Sequence, residues 1–135
     1  MSKGRRILFI EDDTDTCELM QLVLDNADVT CVFSYDHALL KIESEPAFDL
    51  FLIDYYLPDA TGLELCEAIR ERGLKAPIVF LTGSGWLSLS DVQAAGGQRL
   101  IRKSGLEFVE QVRQTVNEFL TEIPIAKGIG GTFSG

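Results

Sequence analysis

The chain holds a single histidine, His37, and three cysteines, Cys17, Cys31 and Cys66. An odd number of widely spaced cysteines, with no CxxC pair and no histidine cluster nearby, offers neither a zinc ligand set nor a disulfide framework, so all three are read as reduced and structural. His37, next to Asp36 at the start of a helical segment, is read as a surface or capping residue rather than a catalytic one. Basic residues are also scarce: 12 Lys and Arg stand against 21 Asp and Glu, a net charge of −9. An acidic chain repels phosphate backbones and anionic lipid, which excludes nucleic-acid or membrane-surface binding through a broad basic face. Long apolar runs are missing too. The longest, among them Ile7 to Ile10 and Leu50 to Ile53, are four residues, against the roughly 18 or more needed to cross a bilayer. The basic start, MSKGRRILFIEDD, meets acids after only four apolar residues, which leaves no signal-peptide core. The expected location is cytoplasmic.

What is present suits one folded domain. The chain has 135 residues, 46% apolar and 24% charged, the size and composition of a single soluble core. Four short segments are rich in branched or aromatic side chains: Ile7 to Ile10, Val29 to Phe33, Leu50 to Ile53 and Ile78 to Leu81, with Leu100 and Ile101 a weaker fifth. Three of them are apolar without alternation, as strands buried on both faces are. Between them apolar residues fall at helical spacing: Cys17, Met20, Val23 and Leu24; Ala38, Leu39 and Ile42; Leu63, Cys66, Ala68 and Ile69; and Val109, Val112, Val116, Phe119 and Leu120. Ser88 to Ala95 is a shorter helical candidate. Thr61 with Glu64, and Ser104 with Glu107, have capping-box spacing, and Gly73 stands where a helix should end. Strand and helix alternating five times predict an α/β fold, a doubly wound, five-stranded parallel sheet with helices on both faces. Residues 123–135, with four glycines and no helical pattern, are expected to be a tail or linker remnant after a domain at 1–122.

In such a sheet, function gathers beyond the carboxyl ends of the strands. The first strand ends in Glu11, Asp12 and Asp13, the third in Asp54, the fourth in Thr82 and Gly83, and the fifth in Arg102 and Lys103. Converging carboxylates repel unless a hard cation with oxygen ligands lies among them, and Mg²⁺, which takes one or two carboxylates plus a phosphate oxygen, fits. With Lys103 and Thr82 opposite, the anion suited to the gap is phosphoryl, and Asp54 is the natural nucleophile. The small Gly83 leaves room for a donor. Plainer roles suit some neighbours: Asp13 and Thr14 as the start of the first helix, and Trp86, in GSGWLSLS, packed against the fourth helix. The competing role for Trp86 is an anchor for a partner or a substitute for an aromatic missing elsewhere.

Four segments in order, ILFIEDDTD, FDLFLIDYYLPDATGLEL, PIVFLTGSG and GGQRLIRKSG, resemble the receiver domain of two-component response regulators across about residues 5–122. The resemblance implies the flavodoxin-like (βα)5 fold. It also implies that Glu11 and Asp12 organise Mg²⁺, that Asp54 is both metal ligand and phosphoacceptor, and that the backbone carbonyl of Tyr56 completes the metal's protein ligands. Thr82 and Lys103 would contact the phosphoryl oxygens, with Thr82 as the switch hydroxyl. The implied donor is a sensor histidine kinase or phosphotransfer protein, and the implied output an unnamed downstream protein docking on the fourth helix, fifth strand and fifth helix; a homodimer stays open. With no DNA-binding module after residue 122, direct transcriptional control is not expected if the chain is whole.

Two positions depart from the family. Ser104 stands where Pro is common, and a cis bond before a non-proline residue costs about 2.5–4 kcal/mol, so a trans bond is expected. Leu100 stands where the family has a switch aromatic, and Ser104 and Leu100 together leave a second reading open: a receiver-fold binding module whose output ignores phosphorylation. A third reading, a haloacid-dehalogenase-like phosphatase, wants DxDx[TV] at the first strand, and Asp13 to Cys17 fails at the last position.

Overall fold

The computed structural model describes residues 4–45, 47–105 and 107–122; the tail expected at 123–135 lies outside the described residues. Ten elements alternate along the chain: β1 (Arg6–Ile10), α1 (Thr14–Val23), β2 (Asp28–Val32), α2 (Tyr35–Ser44), β3 (Leu50–Asp54), α3 (Gly62–Glu71), β4 (Ile78–Thr82), α4 (Leu89–Ala95), β5 (Arg99–Arg102) and α5 (Glu107–Glu122). The strands form one parallel sheet in the order β2-β1-β3-β4-β5. This is the expected doubly wound (βα)5 architecture, and its winding direction reverses between β1 and β3, where such sheets open a crevice at their carboxyl edge.

Period-two alternation splits each central strand between two cores. Leu8, Ile10, Phe51, Ile53, Ile78 and Phe80 face Leu65, Cys66 and Ile69 of α3 and Val92 of α4. Ile7, Phe9, Leu50, Leu52, Val79 and Leu81 face Cys17 and Met20 of α1 and Val112 and Val116 of α5. Strands buried on both sides need no polar face, which is why these runs read as continuous apolar segments. The edge strands differ. β2 begins at Asp28 and β5 has Arg99 and Arg102 at its ends, because an edge strand leaves side chains in contact with water.

The helix starts are built mostly as their caps predict. Thr61 Oγ1 accepts from the Glu64 N–H while the Glu64 carboxylate accepts from the Thr61 N–H, a reciprocal pair worth about 1 kcal/mol. Ser88 and Asp91 close the same box on α4. Gly73 follows α3 at a φ of 78°, the left-handed conformation a glycine adopts without strain. The expected box of Ser104 with Glu107 is not formed: α5 begins at Glu107, so Ser104 lies two residues ahead of the cap position. Gly105, at a φ of 64°, turns the chain in between.

One glycine does positional work for the rim. A Cβ on Gly62 would stand 2.8 Å from the Asp54 carbonyl oxygen and 3.0 Å from both Ile53 and Phe80, and the Gly62 N–H donates to the Tyr55 carbonyl at 2.6 Å. The start of α3 therefore packs directly on the end of β3. Gly62→Ala must push the two apart, and we expect a loss of about 1–3 kcal/mol, read as a lower denaturant midpoint with an unchanged slope.

Candidate functional site

Strand register brings the site together. Ile10 pairs with Ile53, so the next residues along, Glu11 and Asp54, stand side by side. Asp54 pairs with Leu81 and Thr82 with Arg102, which places Thr82 and Lys103 one step further round the same rim. Glu11 continues the β1 ladder, donating its N–H to the Val32 carbonyl at 2.9 Å. Asp13 caps α1 by accepting from the Thr16 N–H, the plainer role expected of it. The Lys103 N–H donates to the Thr82 carbonyl at 2.8 Å, so the lysine's backbone is tied to the neighbouring strand end.

The side chains converge accordingly. Lys103 Nζ lies 2.8 Å from Glu11 Oε1 and 3.5 Å from Asp54 Oδ1. Carboxylate oxygens of Glu11, Asp12 and Asp54 all lie within 4.8 Å of one another. Glu11 and Asp54 are buried, while Asp12 is exposed at the mouth. Thr82 is fully buried, its Oγ1 accepting from the Ser84 N–H at 2.9 Å. A Cβ on Gly83 would meet nothing within 4 Å, so the approach from that side is open. The peptide after Lys103 is trans, like every other described one, and the lysine reaches both carboxylates from it.

Burial pushes the Glu11 carboxyl up to about 6, against the pull of its Lys103 hydrogen bond, and the Asp54 charge adds to the rise. Asp54 is raised by burial as well, with the Lys103 charge opposing. For Lys103, burial acts downward, but the hydrogen bond to Glu11 and the Asp54 charge outweigh it and raise its pKa. The ammonium therefore stays charged among acids that are reluctant to ionise. Three carboxylates and one ammonium leave two negative charges in excess on hard oxygen donors, and that set fits a divalent cation such as Mg²⁺. The triad is positioned to coordinate one.

Several neighbours sit where the sequence did not show. Tyr55 turns into the core beside Leu65, while the Tyr56 ring is 55% exposed. Trp86 does not go into the fourth-helix packing; Leu87 fills that place, and Trp86 is 58% exposed. The indole meets Tyr55 edge-on at 5.1 Å, and its Nε1 donates to the Tyr56 hydroxyl at 3.4 Å. His37 accepts the Phe33 N–H on Nδ1 at 3.4 Å, a local capping contact at the start of α2. Asp59 accepts the Tyr35 and Asp36 N–H groups, and Arg102 grips two carbonyls of the β4–α4 loop. Neither role has a local sequence signal, because the partners are distant in the chain.

At ten times its dissociation constant a cation adds about 1.4 kcal/mol to stability. We expect Mg²⁺ to raise the parental melting temperature, and to raise that of Asp12→Asn far less. In chelator, Asp12→Asn should melt at or above the parent, since one repelling charge is gone. Differential scanning calorimetry with and without Mg²⁺ checks both.

Comparison with known proteins agrees with this geometry. The family model for the response regulator receiver domain matches residues 7–104. The transcriptional regulatory protein CiaR of Streptococcus pneumoniae is 35% identical over 78 residues, 57% of this chain and 34% of that protein. The matched stretch thus spans about a third of that relative's length. Among solved structures, a two-component response regulator from Clostridium difficile superposes with a TM-score of 0.78 at 26% identity, covering 87% of this chain and 97% of that one. The response regulator TrrA of Thermotoga maritima, solved in complex with Mg²⁺–BeF, gives 0.74 at 25% identity, covering 85% and 98%. With the sheet order and the acidic rim already in place, a family match over residues 7–104 leaves one assignment: the chain belongs to the response regulator receiver domain family.

Proposed function

We propose that Asp54 accepts a phosphoryl group from a phosphohistidine on a sensor histidine kinase or phosphotransfer protein, and that the phosphorylated domain signals by contact with a downstream protein. The observation that carries this reading is the Lys103 ammonium in contact with both Glu11 and Asp54, whose carboxylates cluster with that of Asp12. In the transfer, an Asp54 carboxylate oxygen forms the new O–P bond as the donor's N–P bond breaks. The bonding pair stays on the imidazole nitrogen, which takes a proton from solvent.

A Mg²⁺ ion held by Glu11, Asp12, Asp54 and the Tyr56 carbonyl would neutralise charge on the phosphoryl oxygens. Lys103 would hold positive charge against the same group, and the Thr82 hydroxyl would donate to a phosphoryl oxygen. The domain so described is not an enzyme acting on an external substrate; it takes part in its own phosphorylation and dephosphorylation. Residues 1–122 would form this unit.

Leu100 favours a second reading. It is half-buried against the α2–α4 core and has no ring to swing between two positions, so docking independent of phosphorylation remains a competitor. Equal partner affinity with and without a phosphodonor would select it.

Two measurements test the proposal. Intact mass after incubation with a small-molecule phosphodonor should show one added phosphoryl group that requires both Mg²⁺ and Asp54, and Asp54→Asn should show none. The exposed Tyr56 ring at the rim would screen the acyl phosphate from water, so Tyr56→Ala should shorten the phosphorylated state's half-life severalfold. An equal or longer half-life rejects the screening role.

A further inference from the structure

Arg102 is a charged residue beside the site that the proposed chemistry leaves unused. It closes β5 one position before Lys103, paired in register with Thr82. Its guanidinium donates from Nη1 to the Ser84 carbonyl at 2.6 Å and from Nη2 to the Leu87 carbonyl at 2.7 Å. Both carbonyls belong to the loop running from Thr82 to α4. Within that loop the Ser84 N–H donates to Thr82 Oγ1 at 2.9 Å, and Ser84 Oγ accepts from the Trp86 N–H at 3.2 Å.

Ser84 is thus gripped at both backbone groups, its carbonyl by Arg102 and its N–H by Thr82. A hydroxyl has two acceptor sites and one proton. With the Ser84 N–H on one lone pair of Oγ1, the direction of the Thr82 O–H is restricted, and the proton is left to donate elsewhere. The geometry points to Arg102 as a positioning residue for phosphoryl acceptance: by holding the Ser84 and Leu87 carbonyls it fixes Ser84, whose N–H, in the preceding peptide, orients the Thr82 hydroxyl. This rests on the reading of Asp54 as acceptor and Thr82 as a phosphoryl contact. The two carbonyls are held from the two separate Nη atoms of one planar fork, whereas lysine keeps the charge but gathers its donors on a single nitrogen.

The test is a double-mutant cycle on the rate of phosphoryl gain. The donor is phosphoramidate with Mg²⁺, and intact mass is the readout for the parent, Arg102→Lys, Arg102→Ala, Thr82→Ala and the two double variants. Both Arg102 variants should react at least about fivefold more slowly than the parent. Lysine should do no better than alanine, and neither should slow the reaction further once Thr82 is alanine. A role in charge or general stability predicts otherwise: Arg102→Lys at the parental rate, or losses that multiply in the double variants, would overturn the proposal. If Arg102→Ala fails to fold, Arg102→Lys with Thr82→Ala completes the same cycle. A parent that gains no phosphoryl overturns the acceptor reading and this proposal together. A parent that does, alongside an equally fast Arg102→Lys, overturns this proposal alone.

Discussion

Two buried carboxylates at the ends of adjacent parallel strands repel each other, and the Lys103 ammonium, 2.8 Å from one and 3.5 Å from the other, is what allows Glu11 and Asp54 to share the rim. The compensation is partial. Asp12 adds a third acid at the mouth, and burial holds the inner two above their ordinary pKa values. A site with unspent negative charge on oxygen donors and one fixed cation is prepared for a further cation and for an anion between the two. The functional reading follows from that imbalance.

The scaffold serves this arrangement at small cost. Asp54 and Thr82 end their strands and Glu11 and Lys103 directly follow theirs, so the hydrogen-bond ladder of the sheet sets their spacing. Gly62 lets α3 start against the end of β3, and the Lys103 N–H ties the fifth strand to the fourth. Rigid elements rather than long loops hold the chemistry. The β4–α4 loop is the exception, and there the structure supplies a local chain of bonds, from Arg102 through Ser84 to Thr82 and from Ser84 to Trp86. In a chain with Leu100 in place of a switch ring, that loop joins the buried hydroxyl to an exposed aromatic pair.

Much of this was legible in the residues because it is periodic or terminal. Apolar runs four residues long mark strands buried on both faces, i, i+3 and i+7 spacing marks α5, and acids directly after the runs mark the rim. What was misread involved competition among neighbours. Ser104 and Glu107 have capping spacing, but the left-handed turn at Gly105 delays the helix. Trp86 is the larger apolar neighbour of Leu87, yet the smaller residue fits the core, and the indole stays outside against two tyrosines.

By itself the sequence determined the alternation of strands and helices, the two-sided burial of the central strands and the set of acids and cations at their ends, because those depend on local periodicity and on chemistry one residue at a time. Only the tertiary structure decided that Lys103 reaches across to Glu11, that Asp59 caps α2, that Arg102 holds the β4–α4 loop, and that Tyr55 is inside while Tyr56 and Trp86 are out. Each of these depends on the distance between segments far apart in the chain, and that distance is set by strand order and register.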